Sequence, residues 1–307
     1  GAPGSALRRA TKLAQHMTDM RRLQQCAAAR ADVVHFQWLA LQWLDAYLLP
    51  RRPTVLTAHD LLPREPRPGQ ARAQRRLYDR VDALIVHSQY GRGQLVDRLG
   101  VEPGKVHVIH HGAFDHLTRL APAPLAPGLA QVRAPVVLFF GLLRPYKGIE
   151  GLLEAWRGVD GAELWVVGRP RMALEPLRAM APPGTRFVPR FVPDPELAAY
   201  FGRADVVVLP YVATERLDFS GVLATALAFG KPIVLSDVGG LGEVGALGAA
   251  RVVAPEDVEG LRSALRELIA DRAARERLGT AALAAARGLY SWDAAALQTL
   301  ALYRSLV

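Results

Sequence analysis

The sequence predicts an α/β protein built on parallel sheets, and three observations carry that expectation. Short apolar runs rich in β-branched residues alternate along the chain with longer amphipathic stretches. The runs are almost continuously hydrophobic, as strands covered on both faces are, instead of alternating as a half-exposed antiparallel strand does. A breaker-rich segment, Leu120-Ala-Pro-Ala-Pro-Leu-Ala-Pro-Gly128, then divides the 307 residues into two stretches, each long enough for its own core.

In chain order, residues 7–28 read as a helix leading into a first strand, Asp32–Gln37. Further strands are expected at 54–59, 83–88 and 106–109 in the first half. The second half offers 136–140, 163–167, 186–188, 205–209, 232–235 and 250–253. Helical patterns close the chain from Pro255, and Ser291 is a natural N-cap for the last of them. The expected domains are 1–118, a linker at 119–134, a second domain at 135–289, and a final helix at 290–307 that packs back on the first domain.

Half of the residues are hydrophobic and 22% are charged, which excludes a disordered chain. No run reaches the ~18 apolar residues of a spanning helix, and residues 1–5 lack a signal-peptide layout. One cysteine, Cys26, excludes a disulfide framework and favours a cytoplasmic protein. The net charge is +9, and only four of the 38 basic residues are lysines. Arginine pairs such as Arg75-Arg76 are scattered through helical patterns and read as solvated faces. No basic stripe interleaved with aromatics appears, so nucleic acid is not an expected partner, whereas peripheral contact with an anionic membrane is compatible with the charge.

Chemistry concentrates where strands end. Phe140-Gly-Leu-Leu-Arg-Pro-Tyr-Lys-Gly148 follows a buried strand and precedes a helix. Gly141 permits a sharp turn, and Arg144 with Lys147 supplies a planar fork and a point charge suited to a diphosphate. The segment Pro210–Val222 runs from a strand through a polar loop to a helix start at Ser220-Gly221-Val222, where backbone N–H groups face a ligand. Asp237-Val-Gly-Gly240 adds a third glycine turn on the same sheet edge. In the first half, Thr57-Ala-His-Asp60 and Val34-His-Phe-Gln37 end neighbouring strands.

These segments resemble the Ser-Gly-Val branch of glycosyltransferase family 4, over residues 32–307 in order and spacing. The resemblance implies a GT-B fold of two facing Rossmann-like domains and a retaining, metal-independent transfer from a nucleotide-sugar donor. It implies a diphosphate held by Gly141, Arg144, Lys147, Ser220, Gly221 and Val222. It places the nucleobase near Arg190 and Phe191, makes His59 the catalytic-side histidine facing the donor sugar, and puts His35 and Gln37 on the acceptor side. The family's pair of glutamates is replaced by Leu217 and Thr225, which leaves Glu215 or Asp218 to meet the sugar and Thr225 to meet the ribose. Ile109-His-His-Gly-Ala-Phe114 is similar to the family's turn before the linker, and a structural role is expected for its histidines. No spacing resembles a zinc site, and no cofactor is expected beyond the co-substrate, with UDP, GDP and ADP all open. The N-terminal domain reads as incomplete, because the family's opening strand and glycine-rich loop have no counterpart. An impaired nucleotide-sugar binder and a nucleotide-sugar epimerase remain as alternative readings on the same fold.

Overall fold

A computed structural model describes residues 6–62, 68–214 and 218–307. The chain divides into two compact units, one comprising 1–109 with 296–307 and the other 110–295.

The first unit opens with a long helix, α1 (Ala6–Arg30), followed by β1 (Val34–Phe36), the short α2 (Gln42–Asp45) and β2 (Thr54–Thr57). Then come α3 (Gln70–Arg80), β3 (Ala83–Val86), α4 (Gln89–Gly93) and β4 (Val106–Val108). The four strands are parallel in the order β1-β2-β3-β4. Its core gathers Leu56, Leu84 and Val86 from the sheet with Leu77 and Tyr78 from α3. The Tyr78 hydroxyl is not wasted by burial, because it donates to the Leu61 carbonyl at 2.9 Å.

The second unit holds α5 (Pro127–Ala130), β5 (Val136–Phe140), α6 (Ile149–Trp156), β6 (Glu163–Val167), α7 (Glu175–Met180) and β7 (Thr185–Val188). It continues with α8 (Asp194–Arg203), β8 (Val206–Leu209), α9 (Gly221–Ala228), β9 (Ile233–Ser236) and β10 (Arg251–Val253), then α10 (Val258–Ala270) and α11 (Arg272–Arg287). The last helix, α12 (Trp292–Leu306), begins in the second unit and continues into the first from Ala296. Ser291 caps it, its hydroxyl accepting from the Ala294 N–H at 3.1 Å.

Six parallel strands run in the order β10-β9-β8-β5-β6-β7. Period-two alternation sorts their side chains onto two cores. Leu138, Val167, Val207 and Leu235 face one, while Phe139, Val166, Val208 and Val234 face the other. Each fully buried Val or Leu contributes about 1.5–3 kcal/mol. This double coverage is why the strands read as unbroken apolar runs. All ten expected strand positions are occupied by strands among the described residues.

The chain builds β5, β6 and β7 outward, then returns to lay β8 on the other side of β5. A crevice opens at the carboxyl ends of strands where the order reverses, which is where open α/β sheets bind ligands. The loops after β5 and β8 flank that switch point.

Candidate functional site

In the second unit the loop after β5 makes a single 3-10 turn, Pro145–Lys147, ended by Gly148 in the left-handed region (φ 68°). Gly148 cannot be replaced without movement: a Cβ there would lie 1.8 Å from the Pro210 carbonyl oxygen. The Val212 N–H donates to the Tyr146 carbonyl at 3.0 Å, so the two switch-point loops are stitched together.

That arrangement turns Lys147 inward. Its side chain is only 6% exposed, with Nζ 5.1 Å from the centre of the Tyr211 ring and 6.0 Å from that of Phe139. No carboxylate pairs with it among the described residues, an unusual condition for a buried lysine. Gly141 (φ 113°) lies directly beneath: a Cβ on it would fall 2.7 Å from Nζ and 3.3 Å from Val222 Cγ2. Lys147, Gly141 and the first turn of α9 are therefore one constellation. The Ser220 side chain does not cap α9; its hydroxyl lies instead 3.1 Å from the Tyr211 hydroxyl. Arg144, half-buried, stands at the start of the same turn with no acid partner among the described residues.

Asp218 is fully buried, its backbone carbonyl accepting from the Gly240 N–H at 3.1 Å. Its charge adds to the burial and the Glu243 charge that push the Tyr290 phenol upward. Thr225 is buried too, and its hydroxyl donates to the Gly221 carbonyl at 2.8 Å. Asp218 and Thr225, expected near the sugar and the ribose, are thus both buried, and the Thr225 hydroxyl is engaged within α9. Glu215 lies outside the described residues. Phe191 presents a ring 69% exposed after β7, but the neighbouring Arg190 guanidinium is committed to Glu196 and to the Phe191 carbonyl.

His110 and His111 diverge, as two residues on one turn must. His110 packs on the Tyr290 ring, and His111 sits among Phe114, Phe219 and Trp292. Burial lowers the His111 pKa, partly offset by its Nδ1–H donating to the Gly112 carbonyl at 2.8 Å. Gly112 is required there, since a Cβ would come 2.3 Å from the Trp292 ring.

In the first unit the strand ends bring His35, Gln37 and His59 into one hydrogen-bonded chain, and add His87, which sequence reasoning missed. Buried His87 donates its Nδ1–H to the Ile109 carbonyl at 3.0 Å, and its Nε2 lies 3.1 Å from His59 Nδ1. A carbonyl only accepts, so a neutral His87 must take its second bond from His59 Nδ1–H. His59 Nε2 meets the Gln37 amide oxygen at 2.9 Å, and the Gln37 amide nitrogen lies 3.2 Å from His35 Nε2. The orientation of the Gln37 amide is therefore linked to the protonation of His59: the carbonyl requires Nε2–H, and the NH2 requires a lone pair. His35, whose pKa is lowered by burial, also contacts the Thr57 hydroxyl at 2.7 Å and the Tyr303 hydroxyl of α12 at 2.5 Å. Trp38 stacks on His59 with centroids 4.7 Å apart. The sequence signal for His87 was present, since Val86-His87-Ser88 ends an apolar run as Thr57-Ala58-His59 does.

Both units resemble known proteins. Residues 3–113 match a family model described as Glycosyltransferase Family 4, and 134–271 match one described as Glycosyl transferases group 1. D-inositol 3-phosphate glycosyltransferase of Corynebacterium efficiens is 30% identical, over 89% of this chain and 70% of that protein. GDP-mannose:glycolipid 4-beta-D-mannosyltransferase of Xanthomonas campestris is 28% identical, over 69% of this chain and 63% of that protein. The chain spans less than two thirds of several relatives' own length, 60% for a D-inositol 3-phosphate glycosyltransferase from Kineococcus radiotolerans and 55% for one from Nocardioides. Among solved structures, Anabaena HepE in complex with UDP superposes with a TM-score of 0.77 at 21% identity, covering 94% of this chain and 82% of that one. The fold is of the GT-B class. Within it, the chain belongs to glycosyltransferase family 4.

Proposed function

We propose that this chain transfers a sugar from a nucleotide-diphosphate donor to an acceptor hydroxyl on a glycan, lipid or small molecule, without a metal and with retention of configuration. The observation that carries the reading is Lys147: a buried ammonium with no acid partner among the described residues, beside a helix start that Ser220 does not cap and over a glycine. Such a site is built for an anion that arrives from outside. Relatives named for a GDP-mannose donor and a structure holding UDP support a nucleotide sugar.

As the bond from the anomeric carbon to the phosphate oxygen breaks, negative charge collects on the diphosphate. Lys147, Arg144 and the α9 amides stabilise that charge. The acceptor oxygen forms its bond on the face the leaving group vacates, and its proton passes to a departing phosphate oxygen. His59 shapes the sugar site and is not required as a base. The nucleobase rests against exposed Phe191 and the backbone at Arg190.

Thermal shift with UDP, GDP and ADP, alongside release of nucleoside diphosphate from matching donors, tests this. One nucleotide should stabilise the protein at high and low salt, with Lys147→Ala lowering turnover about a hundredfold or more by analogy with a single oxyanion donor. Turnover within about threefold of the parent removes the assignment. Donor binding without turnover selects the impaired-binder alternative, which the commitment of Thr225 to Gly221 favours.

A further inference from the structure

Helix α2 and the residue pair that follows it bury Asp45 and Ala46, and turn Trp43 and Tyr47 outward, one helical turn apart. Trp43 is 55% exposed and Tyr47 54% exposed. Helix α3 packs beside α2 and shows an arginine stripe, Arg72, Arg76 and Arg80, at i, i+4 and i+8, all exposed. The stripes touch: Arg76 Nη1 donates to the Tyr47 hydroxyl at 2.9 Å, and the Arg76 and Arg80 guanidiniums lie 5.8 and 5.0 Å from its ring centre. Among the described residues, the acids of α2 and α3 are engaged. Asp79 pairs with Arg75, and Asp45 accepts the Leu41 N–H at 2.8 Å and contacts His16 of α1 at 2.5 Å.

We propose that this α2–α3 face docks on an anionic phospholipid bilayer, with Trp43 and Tyr47 at headgroup depth and Arg72, Arg76 and Arg80 on lipid phosphates. Two features favour lipid over other polyanions. The aromatics form their own stripe, as in membrane-interface belts, and are not interleaved with the arginines as in base-stacking grooves. The polar tip of each ring suits an interface that is apolar on one side and wet on the other. The inference goes beyond donor chemistry and needs no nucleotide, so it stands or falls separately from the transfer reaction.

The test is flotation of the whole chain with vesicles of phosphatidylglycerol and phosphatidylcholine, and with phosphatidylcholine alone, across a salt series. Circular dichroism controls for folding. Binding should require the anionic lipid and weaken with salt. Each lost arginine should lower partitioning about fivefold, so a triple R72Q/R76Q/R80Q variant should lose about a hundredfold. Trp43→Ala should lose several-fold at every salt concentration. Equal binding to both vesicle types, an undiminished triple variant, or full displacement by duplex DNA through the same arginines overturns the proposal.

Discussion

Single side chains in this protein are constrained more by what their neighbours can donate or accept than by their own type. His87 is the clearest case, because the Ile109 carbonyl decides which of its nitrogens is protonated and so dictates His59. Nitrogen-15 spectra of histidine-labelled protein should show neutral His59 as the Nδ1–H tautomer. His87→Ala should return it to the ordinary Nε2–H form, while His87→Gln, which keeps an acceptor, should restore Nδ1–H. Burial also depresses the pKa values of His35, His107 (helped there by Arg92) and His111. The unfolded chain therefore binds these protons first, so stability is whole above about pH 6.5 and declines as pH falls toward the folded values. Melting temperature should drop between pH 7.5 and 5.5, and His111→Phe should flatten that slope.

At the scale of elements, the strands and phosphate-type loops were legible because their signals are local: apolar runs bounded by glycine, and cations set beside them. The fates of Asp218 and Thr225 were not, because which face of a loop or helix is buried depends on residues distant in the chain, such as Tyr290 and Glu243 near Asp218. The arginines of α3 read as scattered because doublets hide a spacing of four that only the folded helix exposes. Two glycines make sharper statements than any charged residue. Gly148→Ala combines a left-handed backbone with a clash on Pro210 and should cost about 2–4 kcal/mol, together with donor affinity. Gly112→Ala drives into Trp292 and should cost about 1–3 kcal/mol in urea unfolding, with little effect on nucleotide binding.

The whole molecule shows two sheets of unequal size, each completed by helices from its own unit, with the last turns of α12 assigned to the smaller one. Leu302 is buried there and Tyr303 holds His35. Removing residues 296–307 should speed hydrogen exchange in β1 and β4 and leave the six-stranded sheet unchanged. Uniform acceleration in both sheets would contradict that division.

The strand order of the larger sheet also governs events before the protein exists. Strand β5, Val-Val-Leu-Phe-Phe, ends up between β6 and β8, yet β8 is synthesised roughly seventy residues after it. At elongation rates of about 5–20 residues per second the nascent chain carries an unsatisfied, uncharged edge for roughly 4–14 s. Such a segment pairs readily with strangers. Slower decoding between 141 and 205 should therefore lower the soluble yield, and a holding chaperone should restore it.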